Sequence, residues 1–224
     1  MTIIDHPSPN FDDRALPVTM VVLHYTGMQS AEAAITRLSN AQAKVSAHWV
    51  VAEDGQVLRL VDESKRAWHA GRSWWRGITD VNSASIGIEI VNPGHEFGYR
   101  PFPRPQMDAV EALVADAVRT HDLRPGNVVG HSDIAPTRKE DPGELFDWPR
   151  LARAGLALMP APVPDPGWTD AGTLMALGRY GYDVGDAMAA VIAFQRHFRP
   201  MQFDGVIDAE TRGLLRALLL AEGV

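Results

Sequence analysis

"VTMVVLHY", residues Val18–Tyr25, is a run of branched and apolar side chains that ends on a histidine and a tyrosine. Such a run fits a buried strand of a sheet covered on both faces. His24 has no hydrophobic reason to stand at its end, so the same segment that predicts a core strand also marks a chemical position.

Neighbouring segments extend the sheet. "SAHWVVAEDGQVLRLV" (Ser46–Val61) reads as two strands joined at Asp54-Gly55, a strong hairpin signal. "SASIGIEIVN" (Ser83–Asn92) is a further strand, and Val128-Val129 a short one. Helical spacing appears over Ala31–Leu38 and again over Arg104–Leu123. In the latter, Met107, Val110, Leu113, Val114, Ala117, Val118 and His121 share one face and Pro105 sits near the start. Strands and helices mix without regular alternation. The expected fold class is α/β, one mixed sheet flanked by helices, with a small all-α domain after it.

That second domain follows a change in composition. Pro160, Pro162, Pro164 and Pro166 alternate, which suits an extended spacer and neither a helix nor a central strand. The expected division is a body over 1–156, a linker over 157–168 and a three-helix domain over 169–224. In the tail, Met188, Val191, Ile192, Phe194, Gln195 and Phe198 fall at helical spacing. Asp204-Gly205 marks a tight turn, and Asp208 is a plausible N-cap for the leucine-rich last segment.

Composition narrows the chemistry. The 224 residues carry a net charge of −7, which argues against a nucleic-acid binder held by bulk electrostatics. The absence of cysteine excludes disulfides, thiolate nucleophiles and Cys-ligated zinc, so a transition-metal site must use His, Asp or Glu. No stretch has the length of a membrane span, and the N-terminus lacks the basic and apolar regions of a secretory signal. The expectation is a cytoplasmic monomer with no membrane or nucleic-acid partner, the periplasm being the alternative.

Eight histidines are present. His6 and His95 lie in Pro/Gly-rich loops, His121 on an apolar helix face, and His197 on a tail helix as a surface or packing residue. His24, His48, His69 and His131 sit in or at the ends of strand-like runs. Each alone fits a hydrogen-bonded core histidine. Together with an acid, such residues supply the three protein ligands and one open position of catalytic zinc. Glu89 interrupts the apolar strand Ile86–Ile90, where a carboxylate is costly unless paired or employed. In "GHSDIAPTRKEDPG" (Gly130–Gly143), composition alone leaves Lys139 and Asp141 as a solvated turn.

In sequence order, "VVLHYTG", "SAHWVVAEDGQVLRLV", "AWHAG", "NSASIGIEIVN" and "GHSDIAPTRKEDPG" resemble the motifs of zinc-dependent N-acetylmuramoyl-L-alanine amidases. The resemblance is closest to the AmpD/AmiD group and more distant to phage amidase-type lysozymes and peptidoglycan recognition proteins. It spans residues 8–155. The tail, with "VIAFQRHF" and "DGVIDAETRGLL", resembles the helical peptidoglycan-binding module often appended to wall hydrolases.

The resemblance implies one Zn²⁺ per chain on His24, His131 and Asp141. It also implies catalysis by Glu89, as base for the attacking water, and by Lys139, stabilising the oxyanion. Phage-type relatives carry a catalytic Tyr where this chain has Ala47, which strengthens the assignment to Glu89. His48 and His69 become residues that line the pocket or support the ligands from behind, and neither is expected to be a ligand. Arg72, Arg76, Arg100 and Arg104 lie in the loops flanking Glu89 and are either arginine forks for stem-peptide carboxylates or ordinary solvated surface arginines. Trp68, Trp74 and Trp75 are candidates for stacking on a sugar or for core packing. The implied reaction cuts the amide between N-acetylmuramic acid, or its 1,6-anhydro form, and L-alanine of the stem peptide in cell-wall recycling. The alternatives are a non-catalytic module that binds peptidoglycan fragments and an endolysin acting on polymeric wall.

Overall fold

The computed structural model describes residues 3–223. Its strands are β1 (Ile3–Asp5), β2 (Phe11–Asp13), β3 (Met20–Tyr25), β4 (Trp49–Val51), β5 (Val57–Arg59), β6 (Lys65–Ala67), β7 (Ser85–Ile90) and β8 (Val128–Gly130). The helices of the body are α1 (Ala31–Leu38), α2 (Val81–Ala84), α3 (Gly94–Phe97), α4 (Arg104–His121), α5 (His131–Ile134) and α6 (Trp148–Arg153). Those of the tail are α7 (Asp170–Tyr180), α8 (Ala187–Phe198) and α9 (Ala209–Glu222).

Six strands form one sheet in the order β1-β5-β4-β7-β3-β8, and β2 pairs with β6 in a separate ribbon. β3 lies between β7 and β8 and runs parallel to both, whereas β4 and β5 are antiparallel. The sheet is therefore mixed, as the sequence predicts. The hairpin turns at Gly55, whose φ of 88° suits the residue without a Cβ. The short strands β1, β2 and β6 were not expected; β1 and β2 are exposed and carry no apolar alternation to announce them.

Alternation along the central strands divides their work between two faces. Val21, Leu23, Ile86, Ile88 and Ile90 point to one core, which α4 covers with Met107, Val110, Leu113 and Val114. Met20 and Val22 point to the other, where tail residues Tyr182, Phe194, Phe198 and Leu218 join Trp75, Ile134 and Ala135 of the body in one apolar cluster. His24 and Glu89 follow in step with Val22 and Gly87 and so belong to this second face.

The tail helices begin on side-chain caps at Thr169, Asp186 and Asp208, each accepting from a backbone N–H of the first turn. Residues 158–169 have neither helix nor strand, and Val163 N–H donates to Gly213 O at 3.3 Å. Met188, placed on the apolar face by its spacing, is 57% exposed because it lies on the outer side of α8. No helix among the described residues is long and apolar enough to cross a membrane.

Candidate metal centre and active site

Parallel pairing sets His24 directly beside Glu89 at the carboxyl ends of β3 and β7. On the other side of β3, the next residue after β8 is His131. The carboxyl ends of parallel strands are where open α/β sheets place ligands, because the loops there leave a crevice. Asp141 reaches the same point through its loop, closed by Ser132 N–H donating to Asp141 O at 2.9 Å.

The three side chains converge. His24 Nδ1 and His131 Nδ1 are 2.8 Å apart, and Asp141 Oδ2 stands 3.2 Å from the first and 3.0 Å from the second. All three residues are buried, and among the described residues they form the one His/Asp/Glu cluster compact enough to hold an ion.

Outer hydrogen bonds decide which ring nitrogens carry protons. Ser85 Oγ donates to Val81 O at 2.5 Å, which leaves its oxygen to accept from His69 Nε2 at 3.2 Å. His69 Nδ1 then accepts from His24 Nε2 at 3.0 Å. Likewise His131 Nε2 donates to Ala70 O at 3.1 Å. Both Nδ1 atoms are thereby left as lone pairs facing each other and a carboxylate oxygen, an arrangement that repels itself unless a cation lies between. The edge of a tetrahedron with zinc–ligand bonds of 2.0–2.1 Å is about 3.3 Å, close to the spacing seen. The donor set fits a divalent metal.

The ionisation states agree. Burial, then the charge of His131, pushes His24 down to about 4. Burial raises Asp141, but the facing imidazoles outweigh it and hold the carboxyl well below the usual range. Glu89 goes the other way: burial and then the Asp141 charge push it up to about 8, against Lys139, and its Oε2 is buried with no hydrogen-bond partner. Such a displaced carboxyl beside a donor cluster makes Glu89 a candidate functional residue.

Glu89, Lys139, Trp68, His69, His131 and Asp141 line one cavity of about 180 Å³. Trp68 Nε1 is a second buried polar atom there without a partner. An adjoining concavity of about 620 Å³ shares Tyr25, Lys139 and Asp141 with it, which extends the room for a substrate.

Other expected pocket residues are placed elsewhere. His48 is buried behind the site, accepting from Gly87 N–H at 2.9 Å and donating from Nε2 to Lys65 O at 3.1 Å. Arg76 pairs with Glu222 at 2.8 Å and lies over Trp75 and Tyr180, so it clamps the tail instead of facing the cavity. Arg100 pairs with Glu53. Arg72 and Trp74 line a separate concavity of about 500 Å³, and Trp75 is core. His121 pairs with Glu63, and His95 with Tyr25 and Glu144.

The sequence reading missed Tyr25, Arg37 and Arg138. The first two line the small cavity. Arg138 donates to Ala70 O at 2.9 Å and to Arg72 O, tying the Asp141 loop to the carbonyl that also orients His131. No spacing signal distinguishes these arginines from surface ones. Gly87 is a subtler omission: a Cβ there would sit 2.4 Å from the His69 ring, so a glycine inside a central strand makes room for the histidine behind His24.

A pH dependence follows. His24 and His48 titrate at about 4 and about 3, and His69 well below its ordinary 6.5, burial being the first cause in each. The unfolded chain takes up protons below about pH 6.5 that the folded chain refuses, so stability is lost as pH falls. The metal-free protein is expected to lose on the order of several kcal/mol between pH 7 and pH 4 from these groups, offset in part by the raised Glu89 carboxyl, which acts the other way. Urea melts across that range check it; a flat profile contradicts the buried neutral relay.

Comparison with known proteins agrees with the geometry. The family profile described as N-acetylmuramoyl-L-alanine amidase matches residues 14–144, more than half of the chain. The chain belongs to this amidase family. It is 36% identical over 230 residues to the N-acetylmuramoyl-L-alanine amidase AmiD of Escherichia coli, covering 90% of this chain and 82% of the relative. To the 1,6-anhydro-N-acetylmuramyl-L-alanine amidase AmpD of the same organism it is 35% identical over 165 residues, covering 65% and 87%. The structure of E. coli AmiD with the substrate anhydro-N-acetylmuramic acid-L-Ala-D-γ-Glu-L-Lys superimposes with a TM-score of 0.83 at 35% identity, over 95% of this chain and 93% of that one. AmpDh3 of Pseudomonas aeruginosa, in complex with an anhydromuramic pentapeptide, matches with a TM-score of 0.82 at 34% identity, over 92% of each chain.

Proposed function

We propose that this amidase is a zinc enzyme that hydrolyses the amide between N-acetylmuramic acid, in its 1,6-anhydro form, and L-alanine of the stem peptide. His24, His131 and Asp141 would hold the metal. The observation that carries this reading is the pair of facing Nδ1 lone pairs closed by Asp141, with the unpartnered Glu89 carboxyl in the same cavity. The substrates bound by the AmiD and AmpDh3 relatives support the choice of bond and of the anhydro sugar.

When bound, zinc supplies the Lewis acidity that polarises the scissile carbonyl and makes water nucleophilic at neutral pH. Glu89 takes the proton from the attacking water and returns it to the departing L-alanine nitrogen, a role open to a carboxyl whose buried oxygen has no partner in the same cavity. Lys139 faces the same cavity, its backbone N–H tied to Ala135 O at 3.1 Å, and its ammonium offsets the negative charge that builds on the carbonyl oxygen. Trp68 Nε1–H, unpartnered in the folded chain, is available to a substrate acceptor. The ring of His69 keeps His24 in the tautomer that points a lone pair into the site.

Chelation tests the metal requirement. Treatment with a strong chelator is expected to abolish release of L-alanyl peptide from an anhydro-muropeptide, and stoichiometric zinc to restore it. Full activity in the chelated, metal-analysed protein would overturn the zinc reading.

A further inference from the structure

Asp133 lies two residues beyond His131 and is 1% exposed. Its Oδ2 accepts from Gly130 N–H and from His197 Nδ1, both at 2.7 Å, and its Oδ1 accepts from Tyr182 OH at 2.6 Å. Gly130 and Asp133 bracket His131, so this carboxylate closes the turn that aims the histidine. A buried carboxylate is tolerable only when donors satisfy it, and two of its three donors come from the tail.

Those donors are themselves fixed. The His197 ring stacks on Trp148 of the body at 3.7 Å and 19°. Tyr182 is buried edge-on against Trp75 at 5.2 Å and against Phe194 at 6.1 Å. Ile134 and Ala135, next along the loop, pack in the same apolar cluster as Tyr182, Phe194 and Phe198. The tail thus grips the metal loop by hydrogen bonds and by packing at once. Without these contacts Asp133 would need water, and the turn carrying His131 would lose its closure.

We propose that the tail is a working part of the metal centre: Tyr182, in the loop between α7 and α8, and His197, on α8, are positioning residues that hold His131 in ligating geometry through Asp133. This rests on the reading of His131 as a metal ligand. Outer partners of metal ligands typically contribute about 10–100-fold in affinity. Because coupling is reciprocal, metal binding must tighten the tail as much as the tail tightens the metal.

The test uses the full chain. Tyr182→Phe and His197→Phe keep the rings and remove the donors. Each is expected to weaken zinc binding by about 10–100-fold in chelator competition and to alter the visible spectrum of the cobalt-substituted protein. Unchanged zinc affinity and cobalt spectrum in both folded variants would overturn the proposal. If a variant does not fold, the wild type decides by amide exchange. Zinc should slow exchange in 187–198 more than in 104–121 on the far side of the sheet, and equal effects would overturn the coupling. Retention of zinc by His131→Ala would instead defeat the ligand assignment beneath it.

Discussion

Glutamine in place of Glu89 is expected to lower kcat by about 10²–10⁴-fold, the range for loss of a positioned acid–base group, while zinc content stays at one per chain. The substitution keeps size and shape, so the cavity and the neighbouring His24 strand remain in place. A second readout separates chemistry from damage. The Glu89 carboxyl is raised to about 8 by burial first and Asp141 second. The folded metal-free chain therefore holds a proton that the unfolded chain releases above its ordinary carboxyl range, and stability falls as pH rises toward 8. Removing the carboxyl should make the metal-free variant more stable than wild type at pH 7. A loss of turnover with a gain in stability is the mark of a group kept for function. Near-native turnover in Glu89→Gln would remove Glu89 from the mechanism.

The second large effect concerns the metal. Asp141→Ala is expected to lose zinc on dialysis and to lose activity with it, by more than the roughly 10–100-fold that an outer partner contributes. Asp141 supplies the one negative charge among the three donors and closes the gap between two imidazole lone pairs. Without it, His24 and His131 face each other with no counter-charge. Metal analysis after dialysis checks the prediction; stoichiometric zinc in the alanine variant contradicts it.

Much of this was legible in the chain. The apolar run at Val18–Tyr25 and the alternation around Glu89 announce the two central strands, because burial on both faces leaves a clear pattern. His24 and Glu89 stood out as polar groups where packing alone gives no reason for them. Convergence on Asp141 was not legible from composition, since a turn rich in charges looks the same whether it faces water or an ion. It entered through the ordered motifs and is visible physically only in the loop closure from Ser132 to Asp141.

Side-chain destinations set by tertiary packing stayed hidden. Arg76 and Arg100 look like forks for a carboxylate and instead pair with Glu222 and Glu53. Asp133 is the buried junction of loop and tail. His197, read as a surface or packing residue, is its partner. The apolar spacing of the tail was clear, but nothing in it told whether its core would be its own or shared; the structure puts Tyr182, Phe194 and Phe198 in one cluster with Trp75 and Ile134.

The most direct test of the central claim is identification of the bond that is cut. Zinc-loaded protein incubated with anhydro-N-acetylmuramyl-L-Ala-D-γ-Glu-L-Lys should yield free anhydro-N-acetylmuramic acid and an intact tripeptide with L-alanine at its amino end, seen by mass spectrometry. Cleavage within the peptide, or recovery of bound but uncut substrate by zinc-loaded protein, would contradict the account.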